Sequence, residues 1–323
     1  MSVKSIIILD GGLGRELERR GAPFKQPEWS ALAMMEAPET VKEVHKDFIK
    51  NGAQVISTNS YALVPFHIGE ERFHDRGRAL AAASGRIARA AVEETRSDTL
   101  VAASIPPLFG SYRADLFQPD RVAEIASPLI AGLGPYIDVW LCETQSLLAE
   151  AISVRALIDS LDEQKKPVWI SFTLEDAEST SVPRLRSGES LADAVEAVAD
   201  VDIAAILFNC CRPEVIGDAI RVTRDKLTSL NALEIGIGAY ANAFPPQPKN
   251  ATANEGLDEI RADLTPAAYL HWARQWQRQG ATLLGGCCGV GPEHIALLAE
   301  QLTDEDSCQA CDRAHINNSS TES

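Results

Sequence analysis

Eight short apolar runs, each followed by a turn and then by a helical pattern of apolar residues, give the chain its organisation. The runs are Ser5–Leu9, Ala53–Ser57, Thr99–Ser104, Ile137–Cys142, Pro167–Phe172, Ile203–Phe208, Glu234–Ala239 and Ala281–Leu284. Nearly continuous apolar character over so short a run is typical of strands buried on both faces of a parallel sheet. The pattern therefore predicts eight buried strands.

The segments between these runs place apolar residues on one helical face. Examples are Val41, Val44, Phe48 and Ile49 with Gly52 as a stop, then Leu191, Val195 and Val198, then Ile295, Leu298 and Leu302. Eight strand–helix units in about 300 residues predict an α/β fold, a single-domain (β/α)8 TIM barrel over residues 1–302. A doubly wound open sheet is the alternative, with fewer strands. Residues 303–323 are polar, and we expect a disordered tail there.

Composition narrows the class of partner. The 323-residue chain is 45% hydrophobic, enough for one large core, and its formal net charge is −16. This acidity disfavours nucleic acid, whose phosphate backbone needs a basic surface. The first apolar stretch, Ile6–Leu9, is too short for a signal-peptide core, and no run of about 20 apolar residues predicts a membrane span. We expect a cytoplasmic protein with reduced thiols that acts on small molecules.

Two cysteine pairs are the clearest sign of chemistry. Cys210–Cys211 follows the sixth predicted strand, and Cys287–Cys288 follows the eighth, among glycines. The carboxyl ends of barrel strands converge on one face, so thiols far apart in sequence can meet there. Pro213 and Pro292 follow the pairs at predicted helix starts, and helix N-termini favour thiolates. Three thiolates on one zinc ion leave a fourth position for a substrate thiol.

The remaining cysteines carry weaker signals. Cys142 ends the fourth strand and is expected to be a small buried core residue. Cys308 and Cys311 form a CxxC in the acidic tail, where no second ligand pair lies nearby. We interpret that CxxC as an incidental, mobile pair.

Polar residues at other strand ends suggest a site for an amino acid. Asp10 ends the first strand and is followed by Gly11 and Gly12, without the spacing of a nucleotide-binding loop. Asp10 suits an ammonium group and the loop amides suit a carboxylate; the alternative is that Asp10 caps a helix beginning near Leu13. Glu143, at the end of the fourth strand, is a second candidate partner for an ammonium group; the alternative is a loop residue hydrogen-bonded to the backbone.

In this order, several segments resemble the homocysteine S-methyltransferase family over about residues 5–302. They are Asp10-Gly11-Gly12, Thr58-Asn59-Ser60-Tyr61, Glu143-Thr144, Phe208-Asn209-Cys210 and Gly285-Gly286-Cys287-Cys288-Gly289. The length is similar to that of the short, cobalamin-independent, zinc-dependent members, which use S-methylmethionine or S-adenosylmethionine as the methyl donor. The resemblance implies zinc-dependent transfer of a methyl group from a sulfonium donor to the thiol of L-homocysteine, giving methionine.

The resemblance also implies roles for single residues. Carried over, the metal ligands are Cys210, Cys287 and Cys288, which makes Cys211 a neighbour whose side chain points elsewhere. The spacing alone does not separate Cys210 from Cys211. The implied homocysteine contacts are Asp10, the Gly11–Gly12 backbone and Glu143.

The sequence departs from the family around the expected donor pocket. Pro106–Gly110 stands where relatives often have Gly-Pro-Tyr-Gly, Ala62 where many have glutamine, and Tyr240-Ala241-Asn242 where Tyr-Pro-Asn is common. A cationic sulfonium favours aromatic faces. The candidate aromatic residues are Trp29, Tyr61, Phe109, Tyr112 and Tyr240.

Two other interpretations stay open. One is a metal-dependent hydrolase on the same barrel, whose site would favour histidine and carboxylate ligands around a water molecule. Against it, His45 and His74 fall in helical patterns and His294 at a helix start. The other is a non-catalytic protein that binds zinc or thiols.

Overall fold

The computed structural model describes residues 5–177, 182–248 and 259–303. The predicted tail beyond Thr303, with Cys308 and Cys311, lies outside the described residues. Eight strands run β1 (Ile7–Ile8), β2 (Val55–Ser57), β3 (Leu100–Ile105), β4 (Val139–Gln145), β5 (Val168–Phe172), β6 (Ala205–Asn209), β7 (Gly236–Tyr240) and β8 (Leu283–Leu284). All eight overlap the predicted runs, and β4 extends to Gln145, beyond its predicted end at Cys142.

Helices follow the strands around the outside. They are α1 (Leu13–Arg19), α2 (Ser30–Glu36), α3 (Pro38–Lys50), α4 (Pro65–Ile68), α5 (Glu70–Thr95), α6 (Val122–Leu133), α7 (Leu148–Leu161), α8 (Leu191–Ala199), α9 (Pro213–Ser229), α10 (Pro266–Gln279) and α11 (Pro292–Thr303). Short 3-10 turns lie at Ala114–Leu116, Pro119–Arg121 and Gly134–Tyr136. The helices α9 and α11 begin at the two prolines predicted to start them, because proline has a suitable φ and needs no hydrogen-bond acceptor there.

The strands form one parallel sheet in the order β1-β8-β7-β6-β5-β4-β3-β2. A parallel bridge between Leu9 and Val55 joins the two ends of the sheet. The amide of Asp10 donates to the carbonyl of Val55 at 2.9 Å and extends this closure. The predicted single-sheet (β/α)8 barrel is confirmed, and the open-sheet alternative is wrong because the ring closes.

Alternate residues of the strands build two separate cores. Inward-facing side chains, among them Leu141, Trp169 and Leu207, fill the barrel interior as one cluster. Outward-facing side chains pack with the helices in a second, larger cluster that includes the predicted helix residues Val44, Phe48 and Leu298. In the described part of the chain, no helix is long and apolar enough to cross a membrane.

Candidate metal and substrate site

A cavity of about 220 Å³ opens at the carboxyl ends of the strands. Its wall brings together residues that are hundreds of positions apart, including Asp10, Glu143, Cys210, Cys287 and Cys288. In a TIM barrel this face carries the loops that form active sites. A second cleft, of about 420 Å³, lies at the opposite end, among the starts of β5, β6 and β7, and it contains none of these residues.

Three cysteine thiols gather on one side of this cavity. The sulfurs of Cys210, Cys287 and Cys288 all lie within 4.8 Å of one another. The Sγ atoms of Cys210 and Cys287 are 2.8 Å apart, longer than the roughly 2.05 Å of a disulfide bond. Among the described residues this is the one group of three or more His, Cys, Asp or Glu side chains close enough to share a metal ion. Thiolate sulfur is a preferred zinc donor, so the donor set fits that ion.

The turn after β6 decides which member of the first pair faces the cavity. Cys210 adopts φ 51°, in the left-handed region that non-glycine residues rarely occupy. Tyr112 Oη and Thr173 Oγ1 both donate to its carbonyl, at 3.3 and 3.2 Å, and so hold this conformation. Cys211 is fully buried in the core between sheet and helices, and burial raises the pKa of its thiol.

Close backbone packing positions the second pair. Gly12 has an ordinary φ of −73°, yet a Cβ atom there would lie 2.5 Å from the carbonyl oxygen of Cys287. At Gly286, a Cβ would lie 2.1 Å from the side chain of Val290. The glycines flanking the site are therefore required by the close approach of the β1 and β8 loops.

The thiols interact strongly with each other. Hydrogen bonds from Cys210 and Cys287, together with the charge of Arg15, hold the pKa of Cys288 well below its usual range. A lowered thiol pKa favours the thiolate form, which is the form that binds metal cations.

Asp10 lies just after β1 and is a buried carboxylate rather than a helix cap. Its two oxygens accept from the amide and the hydroxyl of Ser57, both at 2.8 Å. The helix α1 begins at Leu13 with Gly12 as its cap residue and has no side-chain capping bond, so the capping alternative is wrong. Burial raises the pKa of Asp10 to about 7 despite these hydrogen bonds.

Glu143 lies in the same cavity near the end of β4. Ser104 Oγ donates to one carboxylate oxygen and Tyr240 Oη to the other, the latter at 3.2 Å. Burial raises the pKa of Glu143 to about 7, although both hydroxyl groups favour the ionised form. Two buried carboxylates in one apolar cavity suit a cationic ligand group, which would restore their charged state.

The glycine loop differs from the sequence-based expectation in one respect. The amide of Gly12 donates to the carbonyl of Val290 at 2.9 Å, within the protein. Gly11 and Gly12 both line the cavity, and this bond engages one of the loop amides that were expected to meet a substrate carboxylate.

Sequence reasoning missed a buried hydrogen-bond network that is centred on Asn209, next to the site. Asn209 Oδ1 accepts from Ser171 Oγ at 2.7 Å and from the amide of Thr144 at 2.9 Å, and Asn209 Nδ2 donates to Thr144 Oγ1. Thr144, next to Glu143, is itself left-handed at φ 57°. The network joins the ends of β4, β5 and β6. Its only signal in the sequence was the position of Asn209 directly before Cys210.

Sequence reasoning also missed a buried ion pair in the β5–α8 loop. Asp176 accepts from Arg186 Nη1 at 3.3 Å, from the amide of Arg212 at 3.1 Å and from the amide of Gln247 at 3.2 Å. Both charged side chains are at most 2% exposed, and the Arg186 guanidinium lies 4.6 Å from the centre of the Tyr112 ring. Asp176 therefore connects the loops that follow β5, β6 and β7.

Four of the five predicted aromatic residues line the cavity: Trp29, Tyr61, Tyr112 and Tyr240. Phe109 instead packs edge-to-face against Phe117, 5.7 Å between ring centres, and is absent from the wall. Phe24 and Phe244 line the wall without having been singled out from the sequence.

Comparison with known proteins assigns the chain to a family. The family model described as homocysteine S-methyltransferase matches residues 7–302, the whole barrel. The chain belongs to the homocysteine S-methyltransferase family.

Members of this family resemble the chain over nearly its full length. Homocysteine S-methyltransferase from Escherichia coli (strain K12) is 30% identical over 317 residues, covering 91% of this chain and 94% of that protein. Homocysteine S-methyltransferase YbgG from Bacillus subtilis (strain 168) is 30% identical over 322 residues, covering 91% and 93%. The metallated form of the homocysteine methyltransferase MmuM from Escherichia coli superposes with a TM-score of 0.73 at 29% identity, covering 92% and 96%.

Proposed function

We propose that this protein is an enzyme that transfers a methyl group from a sulfonium donor to the thiol of L-homocysteine, giving methionine. One observation supports this most directly. Three cysteine sulfurs and two buried carboxylates share one cavity, so that a thiol and an ammonium group of one small amino acid can be held together. Residues 1–302 would form the single catalytic domain, and the need for reduced thiols leads us to infer a cytoplasmic location.

We infer Zn²⁺ as the metal. Cys210, Cys287 and Cys288 would hold it, and three protein ligands on a four-coordinate ion are typical of catalytic zinc sites. When bound, Zn²⁺ supplies a Lewis acid that keeps a substrate thiol deprotonated at neutral pH. A free thiol, with a pKa near 8.5, would be only a few per cent ionised.

The remaining contribution of the protein is to bind and orient the two substrates. Asp10 and Glu143 hold the substrate ammonium group, and the ring faces of the cavity wall attract the sulfonium. The homocysteine sulfur attacks the donor methyl carbon, the new S–C bond forms as the C–S⁺ bond breaks, and the thiol proton leaves to solvent. S-methylmethionine would yield a second methionine, and S-adenosylmethionine would yield S-adenosylhomocysteine. No general base is needed, and alignment of the two sulfurs supplies much of the rate.

The composition of the cysteine cluster argues against a hydrolase. Within the described residues, the cluster able to share an ion consists of three cysteines and includes no histidine. A fourth ligand supplied by a substrate thiol suits such a site better than an activated water molecule.

The test offers zinc-loaded protein homocysteine with each sulfonium donor and measures methionine. The variant Cys287→Ala is expected to lose both stoichiometric zinc and turnover. Cys211→Ala is the matched control, because Cys211 points into the outer core, and it should keep both. Stoichiometric zinc in Cys287→Ala, or its loss from a folded Cys211→Ala, would contradict the assignment of ligands. Absence of methionine with every donor would contradict the function.

A further inference from the structure

Arg15 places a fixed positive charge in the cavity wall. Among the described residues that line the cavity, it is the one side chain that is permanently cationic. It lies in the first turn of α1, five residues after Asp10, and its side chain is 14% exposed. Its guanidinium lies 5.4 Å from the centre of the Phe244 ring, another residue of the wall. This contact helps to orient the guanidinium within the cavity wall.

An amino-acid substrate brings a carboxylate that this cavity must accommodate. Asp10 and Glu143 repel a carboxylate, and the Gly12 amide is engaged by Val290. His67, the other basic residue in the wall, has Nδ1 3.1 Å from the carbonyl of Pro27. Arg15 is thus the residue whose charge matches a carboxylate.

We propose that the Arg15 guanidinium binds the α-carboxylate of an amino-acid substrate in this cavity, an inference that rests on the proposed function. A guanidinium has five N–H donors in a planar fork that matches a carboxylate. Arg15 Nη1 donates to Glu18 at 2.7 Å, so an ion pair on α1 helps to hold the guanidinium at the wall. Where the carboxylate is that of homocysteine, Asp10 and Arg15 bind the two ends of one zwitterion, with the acid after the strand and the base on the adjoining helix.

The same charge has a consequence for the methyl donor. A sulfonium cation that lacks a carboxylate would be repelled by Arg15, whereas one with an amino-acid head would be attracted through its carboxylate. The α-carboxylate can come from homocysteine or from the donor, and substrate analogues separate the two sources. Aminopropanethiol is homocysteine without the carboxylate, and (aminopropyl)dimethylsulfonium is S-methylmethionine without it.

The experiment compares each substrate with its decarboxylated analogue in the wild type and in Arg15→Gln. Initial rates give kcat/KM, and calorimetry gives binding without turnover. We expect the wild type to prefer one of the two substrates to its decarboxylated analogue by about 10- to 100-fold in kcat/KM. This is the range for hydrogen bonds to charged groups. Arg15→Gln should lose most of that preference, and Arg15→Lys should restore part of it. If Arg15→Gln loses the preference for homocysteine over aminopropanethiol, the bound carboxylate is that of homocysteine. If it loses the preference for S-methylmethionine over (aminopropyl)dimethylsulfonium, the bound carboxylate is that of the donor.

Two controls separate this inference from structural damage. Arg19→Gln removes a 68% exposed arginine from the same helix and should leave both preferences unchanged. Thermal unfolding of each variant reports whether α1 stays folded. If Arg15→Gln lowers affinity equally for the substrate and its analogue in both pairs, or changes neither pair, the proposal is wrong. If the wild type turns over no donor, the proposed function fails, whereas the calorimetric pairs still decide the role of Arg15.

Discussion

The contact between Gly12 and the cysteine pair predicts that one added methyl group will damage the site. The Cβ of Gly12→Ala would lie 2.5 Å from the carbonyl oxygen of Cys287 and 2.9 Å from Cα of Cys288, both backbone atoms. Ordinary contacts begin at 3.4 Å, so one of the two loops must move by 3.4 − 2.5 = 0.9 Å. Because φ at Gly12 is −73°, alanine is allowed there, and the cost is purely steric.

A shift of this size acts on both stability and function. Overpacking of a dense region costs about 1–3 kcal/mol. A misplacement of about 1 Å at a reacting centre lowers the rate by roughly 100-fold. We expect Gly12→Ala to fold, to bind zinc more weakly in competition with a chromophoric chelator, and to lose about that factor in kcat/KM.

Gly217→Ala is the matched control for this prediction. Gly217 lies within α9, where the nearest atoms to an added Cβ belong to the ends of the Gln279 and Gln275 side chains. Those flexible ends can move, so zinc affinity and kcat/KM should match the wild type. Wild-type zinc affinity and activity in Gly12→Ala would refute the reasoning that close backbone approach fixes the cysteine pair.

Two further predictions concern buried charge. His45 is fully buried, burial lowers its pKa to about 4, and within the described chain neither ring nitrogen has a hydrogen-bond partner. The unfolded chain therefore takes up a proton below pH 6.5 before the folded chain does. The contribution of neutral His45 to the free energy of unfolding should be fully present above that pH and should fall by about 3 kcal/mol as the pH approaches 4. In urea titrations, His45→Leu should reduce this loss. Asp176→Ala should destabilise the protein by about 3–5 kcal/mol because it leaves Arg186 buried without its carboxylate. The double variant with Arg186→Met should recover part of this stability. If the destabilisations of the two single variants simply add in the double variant, Asp176 and Arg186 are not coupled.

The barrel was predictable because its signals are local and repeated. Each strand is a short apolar run bounded by turn residues, and Pro213 and Pro292 mark helix starts by their own geometry. The convergence of the two cysteine pairs then followed from the rule that barrel strands end on one face, whereas Cys210 as the ligand of the first pair was implied by the family resemblance. The roles of Asp10 and Glu143 remain predictions, although both line the same cavity as those sulfurs.

Other parts of the site depend on conformations without a sequence signature. The choice between Cys210 and Cys211 rests on a left-handed residue, which neighbouring loops hold in place. Asp176 and Arg186 meet in a loop with no periodic pattern, so their pairing was not foreseen. Arg15 belongs to a short helix rich in charges, where nothing in the spacing distinguishes the side chain that faces the cavity from those that face solvent.

The pairing of β1 with β8 ties the first strand of the barrel to the last. During synthesis, Asp10 emerges first, Glu143 and Cys210 follow, and the Cys287–Cys288 pair emerges only when the ring is nearly complete. A partly made or truncated chain thus has Cys210 without the two other sulfurs of the set, and it cannot yet form the three-thiol site. Zinc uptake would then report that the entire ring has assembled.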